Sequence, residues 1–139
     1  MNTTTPTRDR APSQSHDNDL LSKNETHQLI SSDKVEGTAV FDRNSEKLGT
    51  VRKLMIGKID GQVRYVVMGF GGLFGMGEDS FPLPWDALEY DTKVGGYKLR
   101  SLSKEDLERD KAPSFPRGQD PDWSEDYDRT VRLYYFRTA

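Results

Sequence analysis

The residues of this chain whose types and spacing could do chemistry are few: a run of glycines, two histidines and two groups of carboxylates. Gly69, Gly71, Gly72, Gly75 and Gly77 follow an apolar segment, a position from which a glycine-rich loop can cradle a phosphate. Their spacing departs from the dinucleotide fingerprint of glycine, one residue, glycine, two residues, glycine, and no Lys-Ser or Lys-Thr follows to complete a P-loop. Glu78 and Asp79 come next, and their charge repels a phosphate. Phe81-Pro82-Leu83-Pro84-Trp85 then stands where a helix N-terminus would be required. The glycines read instead as a tight strand-to-strand connection that uses positive φ and close packing. His16 and His27 both fall in or beside a polar N-terminal stretch, and the chain has no cysteine. A Ser-His-Asp or Cys-His arrangement, or a His-based metal site, would have to draw on that stretch, against the preorganisation such sites require. Glu78-Asp79 and the group Asp120, Asp122, Glu125, Asp126 and Asp128 lack the twelve-residue loop spacing of an EF-hand. They read as a solvated edge and as helix-start charges. The sequence thus leads to the expectation of no catalytic residue, no cofactor and no metal.

The elements that would position any site are set by composition and pattern. At 139 residues, 33% hydrophobic, the chain has room for one domain with extensions and a modest core. A net charge of -3 and no dense Lys/Arg cluster give no electrostatic footprint for nucleic acid. The lack of cysteine fits a reducing compartment. Residues 1–26 are rich in Thr, Ser, Asn, Asp and Pro, cannot bury enough apolar surface to offset their ordering entropy, and are expected to be a disordered tail. They carry no apolar run of signal-peptide length, and no transmembrane span follows. The expected location is cytoplasmic, without membrane insertion.

From Leu29 onward short alternating segments and turn signals predict a small all-β domain. Val35, Gly37, Ala39 and Phe41 share one face of a first strand, and Asp42–Glu46 supplies a turn. In Lys47–Lys58 the apolar phase slips between Leu48, Leu54, Ile56 and Val51, Met55, which predicts a bulge or bend. Asp60-Gly61 suits a type I′ hairpin turn. The segment Arg64–Phe70 is apolar on both faces and so is expected to be buried, whereas Pro82 and Pro84 place the strand around Phe81, Leu83 and Trp85 at an edge or rim. Asp86–Tyr90 reads as one helical turn and Tyr97–Leu102 as the closing strand. Ser103 and Asp106 have capping-box spacing, with Leu102 and Leu107 placed to staple that turn. Five or six such strands point to a small, strongly bent antiparallel β-barrel.

Gly37-Thr38-Ala39-Val40-Phe41-Asp42, Glu46-Lys47-Leu48-Gly49-Thr50-Val51, Tyr65-Val66-Val67, Phe70-Gly71-Gly72 and Phe81-Pro82-Leu83-Pro84-Trp85 with Leu88 resemble a PRC-barrel domain. This is the module named after the cytoplasmic part of the photosynthetic reaction-centre H subunit. The resemblance covers about Ser31 to Leu107 and implies a small barrel used for assembly. It brings no catalytic residue to carry over. The H subunit's membrane helix and the companion domain of the related ribosome-maturation factor have no counterpart in this sequence.

The expected layout is a tail over 1–26, a barrel-like domain over 27–110, a linker over 111–119 and an amphipathic helix over 120–139. Trp123, Tyr127, Val131 and Tyr134 form the apolar stripe of that helix, flanked by Tyr135 and Thr138. Asp120 or Ser124 could cap it, Pro121 suits its first turn, and Glu125–Arg129 and Asp128–Arg132 are i to i+4 pairs. The stripe has two possible docking places, its own barrel or a neighbouring subunit. The function expected is a non-catalytic interaction module, homo-oligomeric and with further unidentified protein partners. Its candidate interaction surface is Leu73, Phe74 and Met76 at the tip of the glycine loop, with Trp123, Tyr127, Val131 and Tyr134. The alternative is a small-ligand or weak RNA-binding barrel using loop 69–77.

Overall fold

The two-sided apolar pattern around Val66 builds a strand buried over five consecutive residues, Tyr65 to Gly69. In the computed structural model, which describes residues 28–71, 77–107 and 111–136, contacts divide the chain into the units Met1–Ser31 and Ser32–Ala139. All elements named below belong to the second. The expected disordered tail and both histidines lie outside the described residues, as do Leu73, Phe74 and Met76.

A single helical turn, α1 (Ser32–Val35), precedes β1 (Ala39–Phe41), β2 (Lys47–Ile56), β3 (Val63–Phe70), β4 (Asp79–Pro84), β5 (Leu88–Asp91), β6 (Gly96–Leu99), β7 (Phe115–Pro116) and α2 (Glu125–Phe136). Short 3₁₀ turns occupy Trp85–Ala87 and Lys104–Leu107. The described strands form one seven-stranded sheet in the order β5-β6-β1-β2-β3-β4-β7. The chain is mainly β with a C-terminal helix, and the ladder between its first and last strands is not closed. The sheet is also not purely antiparallel as expected. β1 runs parallel to β6, Val40 opposite Tyr97, because the β5–β6 hairpin returns to the free side of β1.

Val35 and Gly37 belong to no strand. Ser32–Val35 coils into a turn closed by the Glu36 amide on the Ser32 carbonyl at 3.2 Å, and Gly37, at φ 89°, ends it in the left-handed conformation that glycine takes without a Cβ clash. The strand therefore starts at Ala39, and the fully buried residue is Val40 rather than Ala39 or Phe41. The expected bulge in β2 is present. Against β1 the register slips between Val40 and Phe41, leaving Leu48 as the extra residue, so Leu48 and Val51 both point into the core; against β3 it slips between Val51 and Lys53 and again between Met55 and Ile56. The Asp60-Gly61 turn is longer than type I′: the Gly57 amide bonds the Gln62 carbonyl at 2.8 Å, and the Gly61 amide folds back on the Gly57 carbonyl at 2.9 Å. Four residues, Lys58 to Gly61, make the loop, with one left-handed glycine, Gly61 at φ 71°.

β3 is buried from Tyr65 through Gly69, between β2 and β4. Along β4, Pro82 pairs with Val67 and Pro84 with Tyr65. Proline lacks the amide donor, so both must turn their nitrogen away from β3, toward the side where β7 pairs only with Asp79 and Ser80. Beyond Ser80 that edge is open, and α2 packs against β4, which shields the edge as natural sheets require. The core beneath contains Val40, Val66, Met68, Phe81, Leu83, Leu99, Leu107 and Val131, all fully buried, each contributing about 1.5–3 kcal/mol.

Asp42 is a buried carboxylate with complete hydrogen bonding. Its Oδ1 accepts the amides of Asn44 at 2.8 Å and Glu46 at 2.9 Å, and its Oδ2 accepts the amide of Lys104 at 2.8 Å. One side chain thus shapes the β1–β2 turn and fastens it to a segment 62 residues away. The turn after Leu102 follows the expected spacing in part: Asp106 accepts the Ser103 amide at 3.0 Å, while the Ser103 hydroxyl donates to the same carboxylate instead of accepting an amide. The turn is 3₁₀ rather than α.

Candidate interaction face

The C-terminal segment is where the sequence placed its interaction surface. Its helix starts later than expected. Ser124 is the cap, its hydroxyl accepting the Tyr127 amide at 3.1 Å, which satisfies one of the free donors of the first turn. Pro121 and Trp123 lie before the helix, and Trp123 has φ 55°, a left-handed conformation that costs a non-glycine residue about 1–2 kcal/mol. Contacts hold it there. The Trp123 ring lies 5.3 Å from Tyr65, 5.8 Å from Phe115 and 5.7 Å from Tyr127, and its indole N–H donates to Asp120 at 3.2 Å. Asp120 in turn pairs with Lys53 of β2 at 2.7 Å.

Residues 111–119, expected to be a linker holding the helix away, are a docked strap. Ala112 and Phe115 are buried, and Phe115-Pro116 pairs with β4 as β7. The aromatic at 115 has an indole face to pack on, which a free linker would leave in water.

Tyr127, Val131 and Tyr134 turn inward on the chain's own sheet. Val131 and its neighbour Tyr135 join the core, and Trp123, Tyr127 and Tyr134 pack half-buried against it. These four candidate residues therefore pack on the chain's own sheet. Neither expected i to i+4 pair forms: one arginine takes a tertiary partner and the other an acid three residues before it. Arg132 donates two hydrogen bonds to the Asp86 carboxylate, at 3.2 and 2.7 Å, instead of meeting Asp128. The Asp128 carboxylate accepts the Tyr65 hydroxyl, and Arg129 meets Asp126 at 2.7 Å rather than Glu125. The Arg132 guanidinium beside Asp86 holds that carboxyl below its ordinary range. The Tyr134 hydroxyl donates to the Asp106 carbonyl, so α2 is tied both to β3 and to the segment after β6.

Two residues that sequence reasoning missed remain outside. Leu133 is 65% exposed and Phe136 43%, with the Arg132 guanidinium 4.7 Å from the Phe136 ring centre. The signal was available: Leu133 lies two residues from Val131, about 200° around the helix, and is apolar on what should be the polar side. On one side of Leu133 runs an open groove of about 610 Å³ lined by Ala112, Pro113, Tyr127, Thr130 and Tyr134 among others. On the other runs a more charged groove of about 650 Å³ that includes Arg64, Glu125, Arg129 and Arg132.

Near the glycine loop, Glu78 is not a solvated edge. It is 7% exposed, its carboxylate accepting Arg52 Nε at 3.1 Å and Nη2 at 2.7 Å, with Arg117 Nη1 at 3.8 Å. Its hydrogen bonds to Glu78 raise the Arg52 pKa above its ordinary value. Gly69 lies under this pair, where a Cβ would meet Glu78 Oε1 at 2.5 Å and Arg52 Nε at 2.7 Å. Among the described residues no three His, Cys, Asp or Glu side chains are grouped to hold a metal, and no helix is long and apolar enough to cross a membrane.

A family model described as PRC-barrel domain matches residues 27–105, more than half of the chain. The chain belongs to the PRC-barrel domain family. No curated protein matches it. In this PRC-barrel protein the matched span stops before the strap and α2, so the exposed ridge at Leu133 and the groove beside it are built largely from residues added after the family's domain.

Proposed function

We propose that this PRC-barrel chain is a non-catalytic assembly module that works as a homo-oligomer and through it offers surfaces to other proteins. The observation that carries the reading is the exposed pair Leu133 and Phe136 beside a groove walled by Ala112, Pro113 and tyrosine rings, an apolar patch with a charged rim of the kind that marks interaction sites. The chain's polar side chains support it from the other direction. Asp42, Glu78, Asp86, Asp106, Asp120 and Asp128 are each engaged in hydrogen bonds within the fold, as a scaffold uses its carboxylates. In the same reading the sheet curls toward the family's barrel with α2 filling the gap between its ends, since the helix packs on β4 and its Tyr134 reaches Asp106, beyond β6. Sedimentation of the full chain over a range of concentrations tests the assembly reading. A sedimentation coefficient that rises with concentration is expected, and a monomer at every concentration would overturn it.

A further inference from the structure

Three polar contacts hold α2 on the sheet, and each joins the helix to a group distant in the chain. Asp128 accepts the Tyr65 hydroxyl, Arg132 meets Asp86, and Tyr134 donates to the Asp106 carbonyl. With Val131 and Tyr135 buried in the core, the seat fits this helix group by group. The joint that delivers the helix fits less well. Between the end of β7 at Pro116 and the Ser124 cap, the chain turns through Gly118 at φ 85° and Trp123 at φ 55°. The second is a left-handed conformation that any residue with a side chain resists. The ion pair that pins the joint, Lys53 with Asp120, is partly exposed on both sides and so adds little. Short joints under strain favour exchange of the following element between copies. Straightening at Trp123 relieves the strain. Extended, Arg117–Trp123 spans at most about 25 Å, longer than the about 18 Å of α2 itself, and can carry the helix to the same seat on a chain alongside.

We infer that two copies of this chain exchange α2, each helix taking on the other copy the seat that it has on its own. The exchange rests on the assembly reading above and names the segment that crosses. A second copy is the partner that brings the acid for Tyr65, the arginine for Asp86 and the phenol for the Asp106 carbonyl together on one helix. The closed and exchanged forms make the same contacts, so mass action decides between them: the dilute chain closes on itself and the concentrated chain pairs.

Sedimentation velocity on the full chain, from low micromolar to submillimolar concentration, is expected to show monomer giving way to dimer. Cross-linking then reads which chain supplies the helix. Because the chain has no cysteine, Asp86→Cys with Arg132→Cys supplies a unique pair of thiols, which a short bismaleimide can join. In the dimer fraction the link is expected between two chains, seen at twice the chain mass after denaturation, and in the monomer fraction within one. A second test needs no reagent. Asp86→Arg in one preparation and Arg132→Asp in another each set like charges at the seat. Mixing the two is expected to give several-fold more dimer than either alone, since exchange brings the opposite substituted charges together. If the chain associates but the links in its dimer fraction stay within one chain, or the mixture holds no more dimer than its parts, the exchange is wrong while the assembly reading stands. If the unsubstituted chain stays monomeric throughout, both are wrong.

Discussion

The hydroxyl of Tyr65, on the buried strand β3, donates to the carboxylate of Asp128 on α2. Sixty-three residues separate them, and the bond joins the family's domain to the helix added after it. Tyr65 also stacks beside Trp123, so the same side chain anchors the chain on both sides of the Ser124 cap.

Removing only that hydroxyl should loosen the helix without disturbing the ring. Tyr65→Phe is expected to cost about 1.5 kcal/mol, the low end for a hydrogen bond to a charged group, because Asp128 can regain water. Urea denaturation measures it, and an unmoved midpoint would show that the bond carries no net stability.

Alkali should unfold the protein from an identifiable pH. Burial pushes the phenols of Tyr65, Tyr127 and Tyr135 up, Tyr127 to about 12. The folded state therefore keeps phenol protons that the unfolded chain releases above about pH 10. With fewer protons bound in the unfolded state, stability falls as pH rises. The contribution is whole below about pH 10 and is lost as the pH climbs through about 12 and beyond. Denaturation midpoints measured across this interval should fall steadily, and the slope should flatten in Tyr127→Phe. A constant midpoint would contradict the burial of these rings.

Asp42 supports three backbone amides at once. Asp42→Ala leaves those donors buried and unpaired, at about 1–3 kcal/mol each if none regains water, so a loss of at least about 3 kcal/mol is expected. Asp42→Asn should fall between, since its amide nitrogen must face one of the donors. Guanidinium denaturation ranks the three proteins, and an Ala variant as stable as Asn would place water at this turn.

Gly69→Ala should act through the ion pair above it. The added methyl overlaps the Glu78 carboxylate and the Arg52 guanidinium, and overpacking of this kind costs about 1–3 kcal/mol. In a Glu78→Ser background the space opens, so the same substitution should cost distinctly less. A double-mutant cycle with no coupling would mean that the glycine is needed for another reason.

What the sequence alone determined was local. The two-faced apolar run at β3 could only be buried, and Pro82 and Pro84 could only face an open edge, since a missing donor cannot be hidden inside a ladder. The phase slip in Lys47–Lys58 announced its bulge, and the cap was narrowed to Asp120 or Ser124, because bulges and caps are settled by a few neighbouring residues; the structure chose Ser124. The tertiary structure decided the pairings. Arg132 had Asp128 one turn away, yet the fold carries Asp86 to it from 46 residues off, where both oxygens can be met at once. Asp128 was thereby left for Tyr65, Phe115 found Trp123, and β6 came to lie parallel to β1. Such choices compare partners that are distant in the chain, and their energies exist only once the sheet has brought them together. For the same reason the helix stripe could be read from its spacing, while the body that would cover it, and the leucine left outside, could not.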